Sequence, residues 1–328
     1  RRGKQISTRE FYAHRLQVRE RRDAAPQIDD ALHRAGRLFQ EYCCMALAKQ
    51  ETQRLRFFKT HQKEIRAELY KHLPDAVRAQ DHDGAIAAGT RVVLPSSFSG
   101  GPRDMHARYQ DGMAIVRKRG KPSFFITMTC NPKWDEITRS LNTGEMPQDR
   151  PDLIARVFKL KLDALLKELY RDGIFGRTIA HLHVIEFQKR GLPHAHILII
   201  LAPEDRLHSP EQIDACVSAE LPTPPSRTDF PSDSEFAAAT ARYERLARLV
   251  AECMTHNECG PDHPRAVCMR DGVCSDRFPK EFLDATEKEI YPKYRRRAPS
   301  AGGATYVYNG RTIDNRWIVP HSPYLLLK

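Results

Sequence analysis

Two histidines one residue apart, His194 and His196, stand in the stretch "FQKRGLPHAHILII" between Phe187 and Ile200. Residues i and i+2 of a β-strand point to the same face. The spacing therefore predicts two imidazoles side by side at the start of a buried strand, where they could bind a metal ion. The alternative is a pair of histidines satisfied by hydrogen bonds, and the spacing alone leaves it open.

The preceding strand could supply further ligands to the same ion. The connection "KRGLP" predicts a β-hairpin centred near Gly191. With that centre, Gln188 lies opposite His194 and Glu186 lies opposite His196, all on one face. Two nitrogens and one oxygen with open positions suit Mn²⁺ or Mg²⁺, and could also bind Zn²⁺ or Co²⁺. Such a site can polarise a phosphoryl oxygen.

A second His-x-His pair, His181 and His183, precedes the first pair by thirteen positions. In an unbroken strand these side chains point away from the face of Glu186. We interpret them as structural unless a bulge changes the register.

A run of potential soft ligands lies in "CMTHNECGPDHPRAVCMRDGVC". Cysteine and histidine in two close pairs suit tetrahedral Zn²⁺, which would fix a loop-rich module without taking part in catalysis. The crowding of half of the eight cysteines beside histidines favours metal binding in a reducing compartment over disulfides. Buried free cysteines are the alternative.

The bulk composition favours a polyanionic partner. The chain has 328 residues, enough for one large domain or two ordinary ones, and a net charge of +11 with a pI near 9.3. Such a surplus is typical of nucleic-acid binding, although a merely soluble basic protein is also compatible with it. The longest apolar run is too short for a membrane span. No G-x-x-x-x-G-K-[ST] phosphate loop occurs.

The patterning predicts an α+β fold with a central antiparallel sheet and flanking helices. Helical spacing covers residues 11–73, a strand-like run covers 123–129, and an apolar helix begins at Pro151 and ends before Gly173. The hairpin strands are predicted at 178–188 and 194–201, and a further helix at 235–251.

These elements predict an N-terminal helical region at residues 1–88 and a second domain at 89–328. Within the second domain we expect an exposed excursion rich in Pro, Ser and Asp at 203–236, and a small Cys/His module at 253–282. The start at Arg1, without Met or a signal-peptide core, favours a fragment of a longer intracellular protein.

Five long motifs follow one another along the chain: "RVVLPSSFSGGPRDMHARYQDGMAIVRKRGKPSFFITMTCNPKWDEI", "RPDLIARVFKLKLDALLKELYRDGIFG", "VIEFQKRGLPHAHILII", "CMRDGVCSDRFPKEF" and "RWIVPHSPYLLLK". In this order they resemble the Rep nuclease region of Helitron transposases, which belong to the HUH endonucleases. This region is called the Helitron helicase-like domain.

The resemblance implies an HUH/Rep-like fold and a metal-dependent site for single-stranded DNA. His194 and His196 match the pair that holds the divalent ion, Glu186 matches a third ligand position, and Gln188 is the fallback. In "FFITMTCNP", Thr129 and Asn131 are expected to approach DNA.

The same resemblance implies nicking and strand transfer of rolling-circle transposition through a 5′-phosphotyrosine link, made by tyrosines spaced Tyr-x-x-x-Tyr. We expect those tyrosines beyond Lys328, followed in the same polypeptide by an ATP-dependent helicase, and a nuclear location. The tyrosines near this end are interpreted as packing or DNA-contact residues: Tyr291, Tyr294, Tyr306, Tyr308 and Tyr324.

For the cysteine run, the family pattern favours one set of four ligands over two reserves. The favoured ligands are His256, Cys259, Cys268 and Cys274, and the reserves are Cys253 and His263.

Basic stretches near the proposed site are candidates for phosphate contacts, with Trp134 or Tyr294 stacking on bases. A solvated charged face is the alternative for each stretch. The candidate residues are Lys189, Arg190, Arg117, Lys118, Arg119, Arg295, Arg296 and Arg297.

Three functions therefore compete. The first is the nuclease region of a Helitron transposase. The second is a zinc-stabilised DNA-binding module of a decayed element, without catalytic activity. The third is an unrelated His-x-His metalloenzyme, which the order of the motifs disfavours.

Overall fold

The computed structural model describes residues 5–17, 31–65, 92–188, 191–289 and 291–328. The chain divides into two compact units, Arg1–Asp205 (unit 1) and Arg206–Lys328 (unit 2). Both combine helices with antiparallel strand pairing, which confirms a mixed α and β architecture. The domain boundary predicted after residue 88 falls outside the described residues and stays a prediction. No described helix has the length and apolar character needed to cross a membrane.

Unit 1 begins with two helices in the region predicted to be helical. Helix α1 (Thr8–Arg15) starts at a capping box, in which the Ser7 hydroxyl accepts from the Glu10 N–H and the Glu10 carboxylate accepts from the Ser7 N–H. Helix α2 (Arg37–Thr60) buries Phe39 and Ala46. Residues 18–30 and 66–73 of the predicted helical region lie outside the description.

Three further α-helices of unit 1 follow along the chain. Helix α3 (Pro102–Arg119) starts at a proline and ends at Gly120, and helix α4 (Asp135–Thr138) is one short turn. Helix α5 (Pro151–Lys167) continues as a π-turn (Glu168–Asp172) that Gly173 ends at φ 63°, a conformation that glycine adopts without strain. The predicted apolar stripe is buried at Ile154, Val157, Phe158 and Leu162.

The sheet of unit 1 contains, within the described residues, strands β1 (Phe124–Thr129), β2 (Thr178–Phe187) and β3 (Pro193–Leu201). All pairing is antiparallel, and β3 lies between β1 and β2. The inner face of β3 carries Ala195, Ile197 and Ile199, which are all at most 1% exposed. The outer face carries the two histidines.

Unit 2 is built around helix α7 (Asp233–Cys253), which follows the shorter helix α6 (Pro210–Cys216). Its small sheets are two-stranded: β4 (Met269–Arg270) pairs with β5 (Val273–Cys274), and β6 (Tyr306–Tyr308) pairs with β7 (Arg311–Ile313). Helix α8 (Pro323–Leu326) lies near the C-terminus. The core of this unit contains Leu221, Val250, Ala251, Ile313 and Ile318.

Part of the predicted excursion at 203–236 is buried, and Leu221 belongs to this core. Ile213 is 6% exposed, Leu221 is 3% exposed, and the intervening Ala219 and Glu220 are also buried. The Pro- and Ser-rich composition indicated irregular backbone, but irregular backbone is compatible with burial when its polar groups are paired. The Leu221 N–H, for example, donates to Asn315 Oδ1 at 2.8 Å.

Candidate functional site

The two histidines of β3 share one face of the sheet with residues of both neighbouring strands. Along this face, Thr129 pairs with His194, and Thr127 pairs with His196. On the other side, Glu186 pairs with His194. The prediction that the two histidines share one face is therefore correct, and the two neighbouring strands place polar residues on both sides of them.

The predicted register of the hairpin is wrong by two residues. Glu186, not Gln188, lies opposite His194, and Val184 lies opposite His196. The centre of the hairpin lies one position earlier than expected, since Phe187 pairs with Pro193; Gly191, at φ 76°, donates its N–H to the Gln188 carbonyl at 2.8 Å. Gln188 thus follows the end of β2, is exposed, and lies beyond the register position of His194, where its N–H donates to the Leu192 carbonyl at 3.1 Å. A shift of two residues preserves side-chain parity, so Glu186 keeps the predicted face.

Each histidine is held at the same ring nitrogen by a threonine of β1. The Thr129 hydroxyl lies 2.9 Å from His194 Nδ1, and the Thr127 hydroxyl lies 3.2 Å from His196 Nδ1. Such contacts fix ring orientation and leave Nε2 of each ring as the nitrogen that no threonine contacts. Thr129, which was predicted to approach DNA, therefore acts here on His194.

The second ring nitrogen of His194 has no hydrogen-bond partner among the described residues. His194 is 9% exposed, and this Nε2 atom is buried. Burial, reinforced by His196 and opposed by Glu186, lowers the pKa of His194, so its ring is neutral at physiological pH. A histidine must be neutral to bind a metal ion, so the protonation state of His194 is compatible with that role.

Glu186 adds a carboxylate beside the second histidine. Its Oε2 lies 3.3 Å from His196 Nε2, and its side chain is 69% exposed. The donor set of two imidazoles and one open carboxylate fits a divalent cation with free coordination positions. The three ligand atoms do not converge as tightly as those of the cysteine cluster described below.

The second histidine pair lies on the opposite face, as predicted. His181 pairs with Ile199 and His183 with Ile197, and the register shift of β2 lies before both. The His181 ring stacks on Tyr170 with 3.5 Å between centroids and 12° between planes. Burial lowers the pKa of His181 and raises that of Tyr170 to about 12, so both rings are neutral at pH 7.

A basic cavity of about 600 Å³ lies in unit 1 between α3 and the start of β2. Lys118 and Arg119, both exposed, line it together with Tyr170 and His181. Arg117 is exposed on the same last turn of α3.

Of the other predicted DNA contacts, Lys189 and Arg190 lie outside the described residues. Asn131 accepts the Lys133 N–H at 2.9 Å and stabilises the turn after β1.

The basic residues 295–297 of unit 2 form hydrogen bonds within that unit. The Glu220 carboxylate, in a side chain that is 6% exposed, accepts from Arg297 Nη2 at 2.7 Å and from Arg295 Nε at 3.2 Å. Arg296 is 6% exposed and donates to the carbonyls of Asn315 at 2.7 Å and Ile318 at 2.6 Å. Its predicted DNA contact is therefore wrong: a buried guanidinium that donates to main-chain carbonyls cannot reach a phosphate.

A cluster of four potential ligands forms in unit 2. Among the described residues it is the group whose ligand atoms all lie within 4.8 Å of one another. His256 Nε2 lies 3.3 Å from Cys268 Sγ and 3.6 Å from Cys274 Sγ. The members are His256, Cys259, Cys268 and Cys274, the four residues that the family pattern favours.

Local geometry positions the two cysteines of "CMRDGVC". Strands β4 and β5 are joined by Asp271 at φ 49° and Gly272 at φ 80°, the two left-handed positions of a type I′ turn. The Ser275 N–H donates to the Cys268 carbonyl at 2.8 Å and closes the ladder beside the cluster. A tight hairpin thus presents Cys268 and Cys274 together.

The histidine of the cluster is anchored from the other side. The His256 N–H donates to the Trp317 carbonyl at 2.8 Å, and its ring stacks on Phe278 with 4.2 Å between centroids. Burial and the two neighbouring thiols raise the pKa of Cys259 to about 12. Cys259 is therefore a neutral thiol at pH 7 without a metal ion, and it must release its proton to act as a ligand.

The two reserve residues are not part of the cluster. His263 Nε2 lies 3.2 Å from a carboxylate oxygen of Glu258, and Cys253 is exposed at the end of α7. The choice among the six candidates is therefore resolved in favour of the four that converge.

Two further residues lie on the sheet face that carries His194 and His196, named here the histidine face, and they were not predicted from the sequence. Thr127 holds His196, and the Phe125 ring lies parallel to the His196 ring, with 5.6 Å between centroids and 9° between planes. The alternation of "FITMT" already signals a strand whose 125, 127 and 129 positions share one face. The sequence does not reveal which strand those positions adjoin.

Comparison with known proteins bears on the histidine face. The family model described as the Helitron helicase-like domain at N-terminus matches residues 11–199. The match covers more than half of the chain and includes β1, β2 and most of β3, but it does not reach the cysteine cluster. No match was found among curated proteins.

Proposed function

We infer the function from one premise: this chain belongs to the Helitron helicase-like domain family. We propose that its histidine face positions a phosphate in an HUH-type nuclease site for single-stranded DNA. Family membership supports association with nucleic acid as part of a Helitron transposase. The observation that carries the finer proposal is the orphaned Nε2 of His194 beside His196 and Glu186.

In this proposal His194, His196 and Glu186 hold a divalent cation, Mn²⁺ or Mg²⁺. When bound, the cation supplies Lewis-acid polarisation of a scissile phosphate. The chain itself fixes both imidazoles through the Thr127 and Thr129 hydroxyls at Nδ1, so that Nε2 of each ring remains for the cation. Rings already held in position lose little freedom on binding.

The covalent step of nicking and strand transfer requires a nucleophile, and the proposal assigns that role to no tyrosine of this chain. A nucleophile must reach the phosphorus atom with its own general base or a lowered pKa. Tyr170 stacks on His181, on the opposite face of the sheet from the proposed site. The helicase downstream and the nuclear location stay predictions.

We further propose that the cysteine cluster holds a structural Zn²⁺. Three thiols and one imidazole correspond to a Cys₃His site, and four protein ligands leave no open position for a substrate. Zinc in this role stabilises the surrounding loops of unit 2.

The proposed nuclease site is tested by counting bound Mn²⁺ with and without single-stranded oligonucleotide. His194→Ala and His196→Ala should lose the bound ion and the part of the DNA affinity that depends on it. His181→Ala and His183→Ala form the matched control, since they remove the same spacing from the opposite face of the sheet. Equal Mn²⁺ binding by all four variants would contradict the proposal.

The same experiment separates the second candidate, a zinc-stabilised DNA-binding module without catalysis. The close approach of the ligand atoms of the cysteine cluster favours this second function. Retained zinc and DNA binding, with no Mn²⁺ bound even in the wild type, would support that function. We expect no covalent adduct between this chain and a single-stranded oligonucleotide under either function.

A further inference from the structure

The outer face of the sheet in unit 1 carries an exposed aromatic residue beside the histidines. Phe125 lies on the face of Thr127 and Thr129 and is 66% exposed. Its ring is parallel to that of His196. The partly buried Leu198 lies opposite Phe125 on β3, and Val184, opposite His196 on β2, is 62% exposed.

The face is therefore ordered in rows across the three strands. The first row is polar, with Thr129, His194 and Glu186. The row containing His196 is mixed. The third row is apolar and begins with Phe125. Successive rows lie about 7 Å apart, because each strand rises about 3.4 Å per residue.

Helix α3 borders the apolar row without covering Phe125. Gly112 of α3 faces the Leu182 side chain at the β2 end of that row. The last turn of α3 carries Arg117, Lys118 and Arg119. Positive charge thus lies at the edge of the sheet whose face carries the exposed ring.

We propose that Phe125 is a base-stacking platform that holds a nucleotide next to the phosphate bound at the histidine face. The inference rests on the proposed function and names the part of the substrate that this surface recognises. A single-stranded base is a suitable occupant because every base offers a π-face, while its backbone is attracted by the net charge of +11. Stacking is tolerant of sequence, so this platform positions DNA without selecting a base.

The chain contains a closely matched control for this role. Phe187 of β2 is 61% exposed, nearly as much as Phe125. It pairs with Pro193, and by strand parity it points to the opposite face of the sheet. Removing either ring removes a similar exposed apolar surface, but only Phe125 is next to His196.

The test measures the affinity of labelled oligothymidine for the wild type, Phe125→Ala, Phe187→Ala and Phe125→Trp, by fluorescence anisotropy at fixed salt. Phe125→Ala should weaken binding by about 5- to 150-fold, the loss typical of one base–aromatic stack. Phe187→Ala should bind like the wild type, and Phe125→Trp should retain the affinity.

An abasic oligonucleotide of the same length separates stacking from charge. It keeps the phosphates and lacks the bases, so Phe125→Ala should not weaken its binding further. Equal losses on abasic and normal DNA, or equal effects of the two alanine variants, would overturn the platform and leave the histidine site standing. Absence of DNA binding by the wild type would overturn both.

Discussion

The cysteine cluster of unit 2 gives the sharpest prediction. Cys268→Ser removes the thiol that lies 3.3 Å from His256 Nε2 and leaves three of the four ligands in place. The hydroxyl of serine is a poor ligand at neutral pH, because zinc binds the thiolate form of cysteine. We expect the wild type to carry one zinc ion per chain and the variant to carry none.

The structure sets the size of the consequence. Around the cluster, the buried residues are Cys259, Met269 and Cys274, and two of these three are ligands themselves. The strands β4 and β5 contain two residues each. A structural zinc site contributes about 10–16 kcal/mol of binding free energy that is also folding free energy. Whole domains are stable by only about 5–15 kcal/mol, so the module should unfold locally without its metal.

The assay combines metal analysis of the reduced protein with hydrogen exchange at single amides. The Ser275 N–H, which donates to the Cys268 carbonyl, should lose its protection in Cys268→Ser. Amides of β3 in unit 1 should keep theirs. Cys253→Ser is the matched control, since Cys253 is an exposed cysteine outside the cluster, and its variant should retain zinc.

One result would refute the reasoning. If the folded, reduced wild type contained no zinc and still protected the Ser275 amide, the four residues would be a packed cluster of free thiols and one imidazole. A metal requirement for the module would then be wrong, whatever the distances among its ligand atoms.

Two further predictions concern the remaining polar networks. Thr129→Val removes the hydroxyl 2.9 Å from His194 Nδ1 and should lower Mn²⁺ affinity about 10- to 100-fold in calorimetric titrations, whereas Thr129→Ser should not; equal affinities would exclude a positioning role. Burial tends to raise the pKa of Glu220, but hydrogen bonds from Arg297 outweigh it and hold that pKa below 4.5. The resulting stability should be complete above about pH 4.5 and lost as pH falls through the lowered pKa. Glu220→Gln should cost up to about 3–5 kcal/mol near neutral pH in urea unfolding and abolish this dependence; an unchanged slope would contradict the assignment.

The features that follow local periodicity were predicted well from the sequence. The apolar stripe of α5, its glycine end and the strands of the hairpin all occur close to their expected positions. The choice of His256, Cys259, Cys268 and Cys274 agrees with the cluster that forms. In these cases the relevant information lies within a few residues or in a motif with a fixed order.

The features that depend on distant neighbours were not predictable in the same way. Arg296 and Arg119 both stand in runs of three basic residues. Arg296 is buried against main-chain carbonyls, while Arg119 is exposed beside a cavity. The sequence therefore reveals a run of basic residues but not the groups that it will bind. The carbonyls that accept from Arg296 belong to residues near 315, which approach it only in the folded unit.

The two His-x-His pairs show how position in a sheet decides what a motif can do. Both pairs have the same spacing, and both lie in strands of one hairpin. The pair in β3 occupies the central strand, so β1 supplies the threonines on one side and β2 supplies Glu186 on the other. Among the described strands, β2 pairs with β3 alone, and Ile199 and Ile197 lie opposite His181 and His183. A metal site needs ligands and the groups that orient them, and in this hairpin the central strand has neighbours on both sides to provide them.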